Sequence, residues 1–376
     1  MVTLADEPTV TNDVVRLAGS NVLYMTQDGQ IGGPGPRDIW TVNINGAGKH
    51  VLANTAEDEI IRDAIGSWML YDVVPTAFPK LSDLAGVQLD GTARQIIAPA
   101  VHAVGSESSA FYERQAGSRA VFSRGNDLFS ILPEGTDLRQ LTTIPRGPNG
   151  ELTFLGTRGT VGTQVIYSVF STQFVPDLFA VPVTGGPVVT LADGPEYEWL
   201  GAVVGSRVVY HRCAVNPSTL FVGQCDLYSV QSDGSGTVTL STHPDNEIVQ
   251  GVIGSQVIVR RNRSGFDELY SINADGSGGE TAILTLSAQS DFVEGIIDSR
   301  VILTRATGLW SIHADGSSLV QLTAGTDRFG GASGAFACFE RGPSDQRDLW
   351  CVPADGSAPA VPIATTGADE YFVISI

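Results

Sequence analysis

The sequence predicts an all-β protein made of eight repeated four-stranded sheets, and three observations carry that expectation. One motif recurs eight times along the 376 residues. The apolar runs have the length of strands and are bounded by Gly, Asp, Asn, Ser and Pro. The 43 glycines and 19 prolines leave little room for long helices.

The motif is an acidic residue, an aliphatic, usually an aromatic, a small residue, a β-branched residue and a turn closed by glycine. It reads DIWTVNING from Asp38, DLAGVQLDG from Asp83, DLFSILPEG from Asp127, DLFAVPVTG from Asp177 and DLYSVQSDG from Asp226. It continues as ELYSINADG from Glu268, GLWSIHADG from Gly308 and DLWCVPADG from Asp348. The first positions are 45, 44, 50, 49, 42, 40 and 40 residues apart, so eight copies fill the chain.

The fifth unit shows the four strands in order. Strand A is EYEWLGAVVG from Glu196, strand B is RVVYHR from Arg207, strand C is DLYSV from Asp226 and strand D is TVTLS from Thr237. A two-residue Gly-Ser turn joins A to B here at Gly205-Ser206, as at Gly19-Ser20, Gly66-Ser67, Gly117-Ser118 and Gly254-Ser255. An Asp-Gly turn joins C to D at Asp233-Gly234, Asp275-Gly276, Asp315-Gly316 and Asp355-Gly356; Asp-Gly suits the turns between twisted antiparallel strands. These loops lack the alternating D-x-D-x-D-G ligands of a calcium loop, so turn chemistry explains them.

A small four-stranded sheet has two faces to bury and cannot bury both alone. Arranging such sheets around an axis covers each with its neighbour and leaves only short edges. The expected fold is therefore a β-propeller of eight four-stranded antiparallel blades around a central channel, with seven blades as the alternative. One domain, 1–376, is expected, with blades near 12–56, 57–106, 107–148, 149–194, 195–244, 245–289, 290–325 and 326–367. Terminal strands 1–11 and 368–376 are both available to close the ring.

The pattern D-L-[WFY]-S-[IV]-x-x-D-G-S, followed by a strand such as LVQLT from Leu319, resembles the TolB-like, or WD40-like (PD40), β-propeller repeat, also used in the propellers of the prolyl oligopeptidase family. The likeness runs through strands C and D of nearly the whole chain. It departs from the family at the A-to-B turn, where such repeats usually carry W-S-P-D-G.

Composition narrows the partners. A formal charge of -19 repels nucleic-acid phosphates and anionic membrane surfaces, and no apolar run approaches the roughly 20 residues of a membrane span. No nucleic acid, no membrane insertion and a monomer are expected. Cys213 and Cys225 are twelve residues apart and Cys338 and Cys351 thirteen, each pair bracketing a connection between neighbouring strands. Two local disulfides, Cys213–Cys225 and Cys338–Cys351, are expected, and with them an extracytoplasmic protein, secreted, periplasmic or at the cell surface, whose leader is not in this chain.

Strand A lines the channel in this fold, so its first residues form the candidate site: Asp13, Glu59, Glu198, Glu247, Asp291 and Asp327. Carboxylates clustered at a channel rim would raise one another's pKa unless cations neutralise them, which makes the rim a seat for a protein, peptide or glycan ligand or for Ca²⁺. No other cofactor and no other metal is expected. The competing account is that each carboxylate accepts backbone N–H bonds in its own D-to-A turn, and Arg16 and Arg62 on the same strands are available to neutralise the rim. Ala110 holds the matching position in the third unit.

No catalytic residues are assigned. The chain has no G-x-S-x-G nucleophile elbow, no P-loop and no dinucleotide-binding GxGxxG in a βαβ setting. The reading that follows is a non-enzymatic, acidic interaction module. The alternative is a glycan lyase or hydrolase with its site at the channel mouth, using His102, His243 and nearby carboxylates as acid and base. The strand-C aromatics, Trp40, Phe129, Phe179, Tyr228, Tyr270, Trp310 and Trp350, are expected to pack blade against blade.

Overall fold

The computed structural model describes residues 10–28, 36–43, 45, 47–75, 81–100, 110–145, 147, 153–170, 175–215, 222–263, 266–287, 291–343 and 347–364. Among them every regular element is a strand, and the thirty-two strands form eight four-stranded antiparallel sheets, each paired in the order A-B-C-D. The fold is the all-β, eight-bladed propeller class, with eight blades rather than the seven of the alternative. The blades span 10–53, 58–98, 110–140, 154–192, 197–241, 246–287, 292–321 and 328–364. No helix of the described residues is long and apolar enough to cross a membrane. Of the terminal strands expected to close the ring, 1–11 and 368–376, residues 1–9 and all of 368–376 lie outside the described residues, while Val10 and Thr11 open strand A of blade 1.

Blade 5 shows how the repeat becomes a sheet. Strand A, Tyr197–Val204, turns through Gly205-Ser206 into strand B, Arg207–Val215. Gly205 has φ 58°, the conformation that the first turn position of a type II′ hairpin requires and that costs a side chain energy. Strand C, Val222–Gln231, and strand D, Val238–Ser241, follow. The C-to-D turn is closed by its own aspartate: Asp233 Oδ1 accepts the Ser235 backbone N–H at 2.9 Å and the Ser235 hydroxyl at 2.6 Å. Asp275 repeats both bonds with Ser277, while Asp315 and Asp355 accept the Ser317 and Ser357 backbone N–H. Each exposed carboxylate is held below its usual range by the serine it binds.

Contacts divide the described residues into two units, 10–170 with 179–188 and 175–178 with 189–364. In the first, Leu23, Ile39, Met69, Tyr71 and Val87 pack blade 1 on blade 2, and Leu70, Leu84, Phe122 and Ile131 pack blade 2 on blade 3. Val121, Leu128, Val165, Tyr167 and Val181 continue this onto blade 4. In the second unit, Val209, Leu227, Val257, Val259 and Tyr270 join blades 5 and 6. Ile258, Leu269, Val301 and Leu303 join blades 6 and 7, and Ile302, Leu309, Phe339 and Val352 join blades 7 and 8. Full burial of one such side chain contributes about 1.5–3 kcal/mol.

The small residue of the motif has a second purpose. Ser130 Oγ donates to the Val183 carbonyl at 2.6 Å, and Ser271 Oγ to the Ala314 carbonyl at 2.8 Å. Ser229 and Ser311 do the same to Ala274 and Ala354. All four serines are fully buried; the next blade's carbonyl takes the hydroxyl proton, while the same oxygens accept from Arg119, Arg207, Gln256 and Arg300 of their own blades.

Both expected disulfides are formed, between residues directly opposite one another on strands B and C, Cys213–Cys225 and Cys338–Cys351. No free cysteine remains.

Candidate functional site

Strand A of every blade begins with a short regular stretch and then breaks register at a β-bulge, at Ile61/Asp63, Leu200/Ala202, Val249/Gly251, Val293/Gly295 and Phe329/Gly331 among others. The bulge separates the predicted carboxylate from the rest of its strand and leaves it facing the end of strand B. There it meets an arginine. Glu198 binds Arg212 at 3.2 Å, Glu247 binds Arg261 at 2.8 Å, Asp291 binds Arg305 at 3.3 Å and Asp327 binds Arg341 at 2.7 Å. All four pairs are fourteen residues apart. In register, Glu198 lies directly opposite Arg212 and Glu247 opposite Arg261.

Each arginine also lies over aromatic rings of strands B and C. Arg212 lies 4.7 Å from the Tyr228 ring, Arg261 4.4 Å from Tyr270, Arg305 5.5 Å from Trp310 and Arg341 4.9 Å from Trp350. The motif aromatics therefore serve as arginine platforms as well as packing between blades. Carboxylate, guanidinium and ring form a three-layer unit repeated in blades 5 to 8.

The remaining predicted residues vary this plan. Glu59 is fully buried, and its Oε1 accepts the Thr55 N–H at 3.0 Å and the Thr55 hydroxyl at 2.7 Å, the local turn role expected of such residues. Its cation is Arg94, at 3.4 Å, which also donates to the Tyr71 hydroxyl. Arg62, expected to neutralise the rim, instead binds Asp72 at 2.6 Å, because the bulge at Ile61/Asp63 turns it toward strand B. Asp291 combines both roles, accepting the Ser287 N–H at 3.1 Å besides its arginine. Asp13 occupies strand A of blade 1 opposite Met25. In blade 3, Ala110 faces Arg124 where blades 5 and 6 place glutamate.

Burial raises the Glu59 carboxyl above its ordinary value, against Thr55 and Arg94, which lower it. Burial likewise pushes Glu198 up to about 7; Arg212 opposes this and the charge of Asp177 adds to it. Asp177 is itself pushed up to about 6, by burial first and then by Asp193. Around Glu247, Ser241 donates its hydroxyl at 2.7 Å and Tyr270 its own at 2.5 Å, while Arg261 reaches Glu280 at 2.7 Å. Beside this network a cleft of about 490 Å³ opens in blade 6, lined by Arg261, Glu268, Tyr270 and Glu280. A second cleft, of about 500 Å³, lies between blades 7 and 8 along Glu294, Arg305, Asp327 and Arg328.

The histidines among the described residues do not converge. His211 is buried, lies edge-on to Trp199, accepts the Val249 N–H through Nε2, and is pushed down to about 4 by burial. His313 contacts Arg300, and His50 contacts backbone carbonyls. His243 lies 3.4 Å from Asp245 and accepts from Arg263 at 3.1 Å, and Arg263 continues to Glu268 at 3.0 Å. His102 lies outside the described residues.

Five of the six candidate carboxylates, Glu59, Glu198, Glu247, Asp291 and Asp327, already have a guanidinium as counter-charge, and no group of three or more His, Cys, Asp or Glu among the described residues is placed to hold a metal ion such as Ca²⁺. The arginines were the functional residues not singled out from the sequence. The signal available for them was an acid followed fourteen positions later by arginine, four times over.

No family model matches the chain, and no curated protein matches it. Solved structures do. One described in an analysis of two prolyl endopeptidases aligns with 93% of this chain and 54% of its own, at 14% identity and a TM-score of 0.48. An oligogalacturonate lyase in complex with manganese aligns with 94% of this chain and 98% of its own, at 11% identity and a TM-score of 0.43. The β-propeller domain of the Trilobed protease from Pyrococcus furiosus aligns with 83% and 99%, at 12% identity and a TM-score of 0.45. This chain spans about half the length of the prolyl endopeptidase chain. Likeness at this level says nothing about activity.

Proposed function

We propose that this chain is a non-enzymatic interaction module, built of TolB-like repeats and working outside the cytoplasm, which binds a protein, peptide or glycan ligand where its A strands begin. One observation carries the reading: the described rim carboxylates are pinned by arginines of their own blades. A catalytic acid or base needs freedom to exchange its proton with substrate, whereas an ion pair stacked on an aromatic ring offers a rigid polar surface. Two disulfides and no free thiol are compatible with an oxidising compartment.

Peptide and glycan arrays probed with the full chain test the reading. A retained ligand recovered chemically unchanged supports it, and turnover of any retained ligand contradicts it. The second reading, a glycan lyase or hydrolase, is favoured by the His243 ring lying between Asp245 and Arg263. It requires cleavage of an oligosaccharide that His243→Ala abolishes.

A further inference from the structure

Blade 3 keeps two layers of the three-layer unit and lacks the third. Arg124 ends strand B, Arg119–Arg124, as Arg305 and Arg341 end theirs. It lies 5.5 Å from each of the Phe122 and Phe129 rings, which are themselves stacked at 5.5 Å. The residue opposite it, where blades 5 and 6 place glutamate, is Ala110.

The consequence is a cation prepared for an acceptor that the described residues do not supply. Arg124 Nε is buried without a hydrogen-bond partner, and among the described residues no ion pair reaches the guanidinium. The acid whose charge it feels is Asp83, but Asp83 is engaged elsewhere, its Oδ1 accepting the Ala100 N–H at 2.6 Å. A guanidinium loses hydration when it is half-buried on rings and recovers it best through a planar, bidentate carboxylate. The rest of Arg124 is partly exposed.

We propose that Arg124, on its Phe122–Phe129 platform, is a receptor for one carboxylate of a peptide ligand, taking the place that glutamate fills in blades 5 and 6. The inference rests on the interaction-module reading and names the chemistry one of its sites recognises. A single acidic side chain fits best, since one guanidinium takes one carboxylate and the net charge of -19 disfavours a polyanion.

The test uses the full ¹⁵N-labelled chain, with the Arg124 Nε–H resonance assigned by its disappearance in Arg124→Gln. The probes are the blocked peptides acetyl-Phe-Glu-Gly-amide and acetyl-Phe-Gln-Gly-amide. The expected result is a saturable shift of that resonance with the glutamate peptide, binding about tenfold weaker for the glutamine peptide, and loss of the preference in a folded Arg124→Gln protein. Ala110→Glu should rebuild the pair, abolish the peptide response and raise the melting temperature relative to Ala110→Gln. Equal binding of the two peptides, or a preference that survives Arg124→Gln, overturns the assignment, and neither depends on the Ala110 variants folding. Galacturonate shifting the resonance while both peptides leave it unmoved also overturns it, in favour of a sugar acid. Array ligands held equally by wild type and Arg124→Gln overturn this assignment alone and leave the module reading standing.

Discussion

Asp177→Asn should stabilise the protein at alkaline pH and leave it unchanged in acid. Asp177 opens strand C of blade 4, Pro176–Pro182, and faces Glu198 at the start of strand A of blade 5. With both groups ionised, Asp177 Oδ1 and Glu198 Oε2 are buried without a hydrogen-bond partner; a proton held between them supplies one. Burial, followed by the neighbouring charges, holds Asp177 at about 6, and burial holds Glu198 at about 7 against Arg212.

Both values lie above those of the unfolded chain, so between about pH 4 and pH 7 the folded state carries more protons. The contribution to stability is therefore complete below the unfolded values and is lost as pH rises through 6 to 7. Each tenfold change in proton affinity is about 1.4 kcal/mol, so the bare cost at Glu198 is about 3 kcal/mol. Screening at the solvent-facing Arg212 side, and the sharing of one proton by two groups, reduce this to about 1–2 kcal/mol for the pair. Asparagine keeps an oxygen for the Gly194 N–H and brings a donor for Glu198. Urea unfolding at pH 4 and pH 8 measures the effect. A variant less stable than wild type at pH 8, or one keeping the full fall in stability between the two pH values, refutes the reasoning.

Three further outcomes are expected. Ser271→Ala, which removes the buried bond from blade 6 to the Ala314 carbonyl, should cost about 1 kcal/mol or somewhat more, since that carbonyl is left unpaired; Ser235→Ala on an exposed turn should cost less in the same urea assay. EDTA or millimolar Ca²⁺ should leave the melting temperature unchanged, because arginines already neutralise the described rim carboxylates; a shift of several degrees would show a cation seat there. Reducing the protein under native conditions should destabilise it by about 3 kcal/mol for each disulfide, as expected for closed loops of this length, measurable by thermal unfolding with and without reductant.

The architecture was legible because each blade writes its strands and turns into a short local pattern. The Asp-Gly-Ser turn is closed by its own aspartate, so it reads the same in blades 5 to 8. The disulfides were legible for a similar reason, each bracketing one strand-to-strand connection. Even the motif's exception has a cause in the same blade: Gly308 replaces the usual acid where any Cβ would run into the Thr323 carbonyl. The acids at the start of strand A were legible by position: Glu59, Glu198 and Glu247 are the second residues of their strands, and Asp291 and Asp327 immediately precede theirs. Their partners were not, because pairing across a hairpin depends on register, and a bulge within strand A changes register without a fixed residue to mark it. Arg62 shows the effect, since proximity on one strand pointed to Glu59 while the fold sends it to Asp72. The serine bonds between blades were hidden for the opposite reason: a small residue in mid-strand reads simply as space for packing.

The central claim, that the rim acids are held by arginines across the hairpin, is tested most directly by a double-mutant cycle on Glu247 and Arg261. Stability is measured for Glu247→Gln, Arg261→Met and the double variant. Glu247 is fully buried and Arg261 nearly so, so removing the arginine alone should cost about 3–5 kcal/mol, and the double variant should recover much of that. A coupling of about 2 kcal/mol or more is predicted; additive losses would contradict the account.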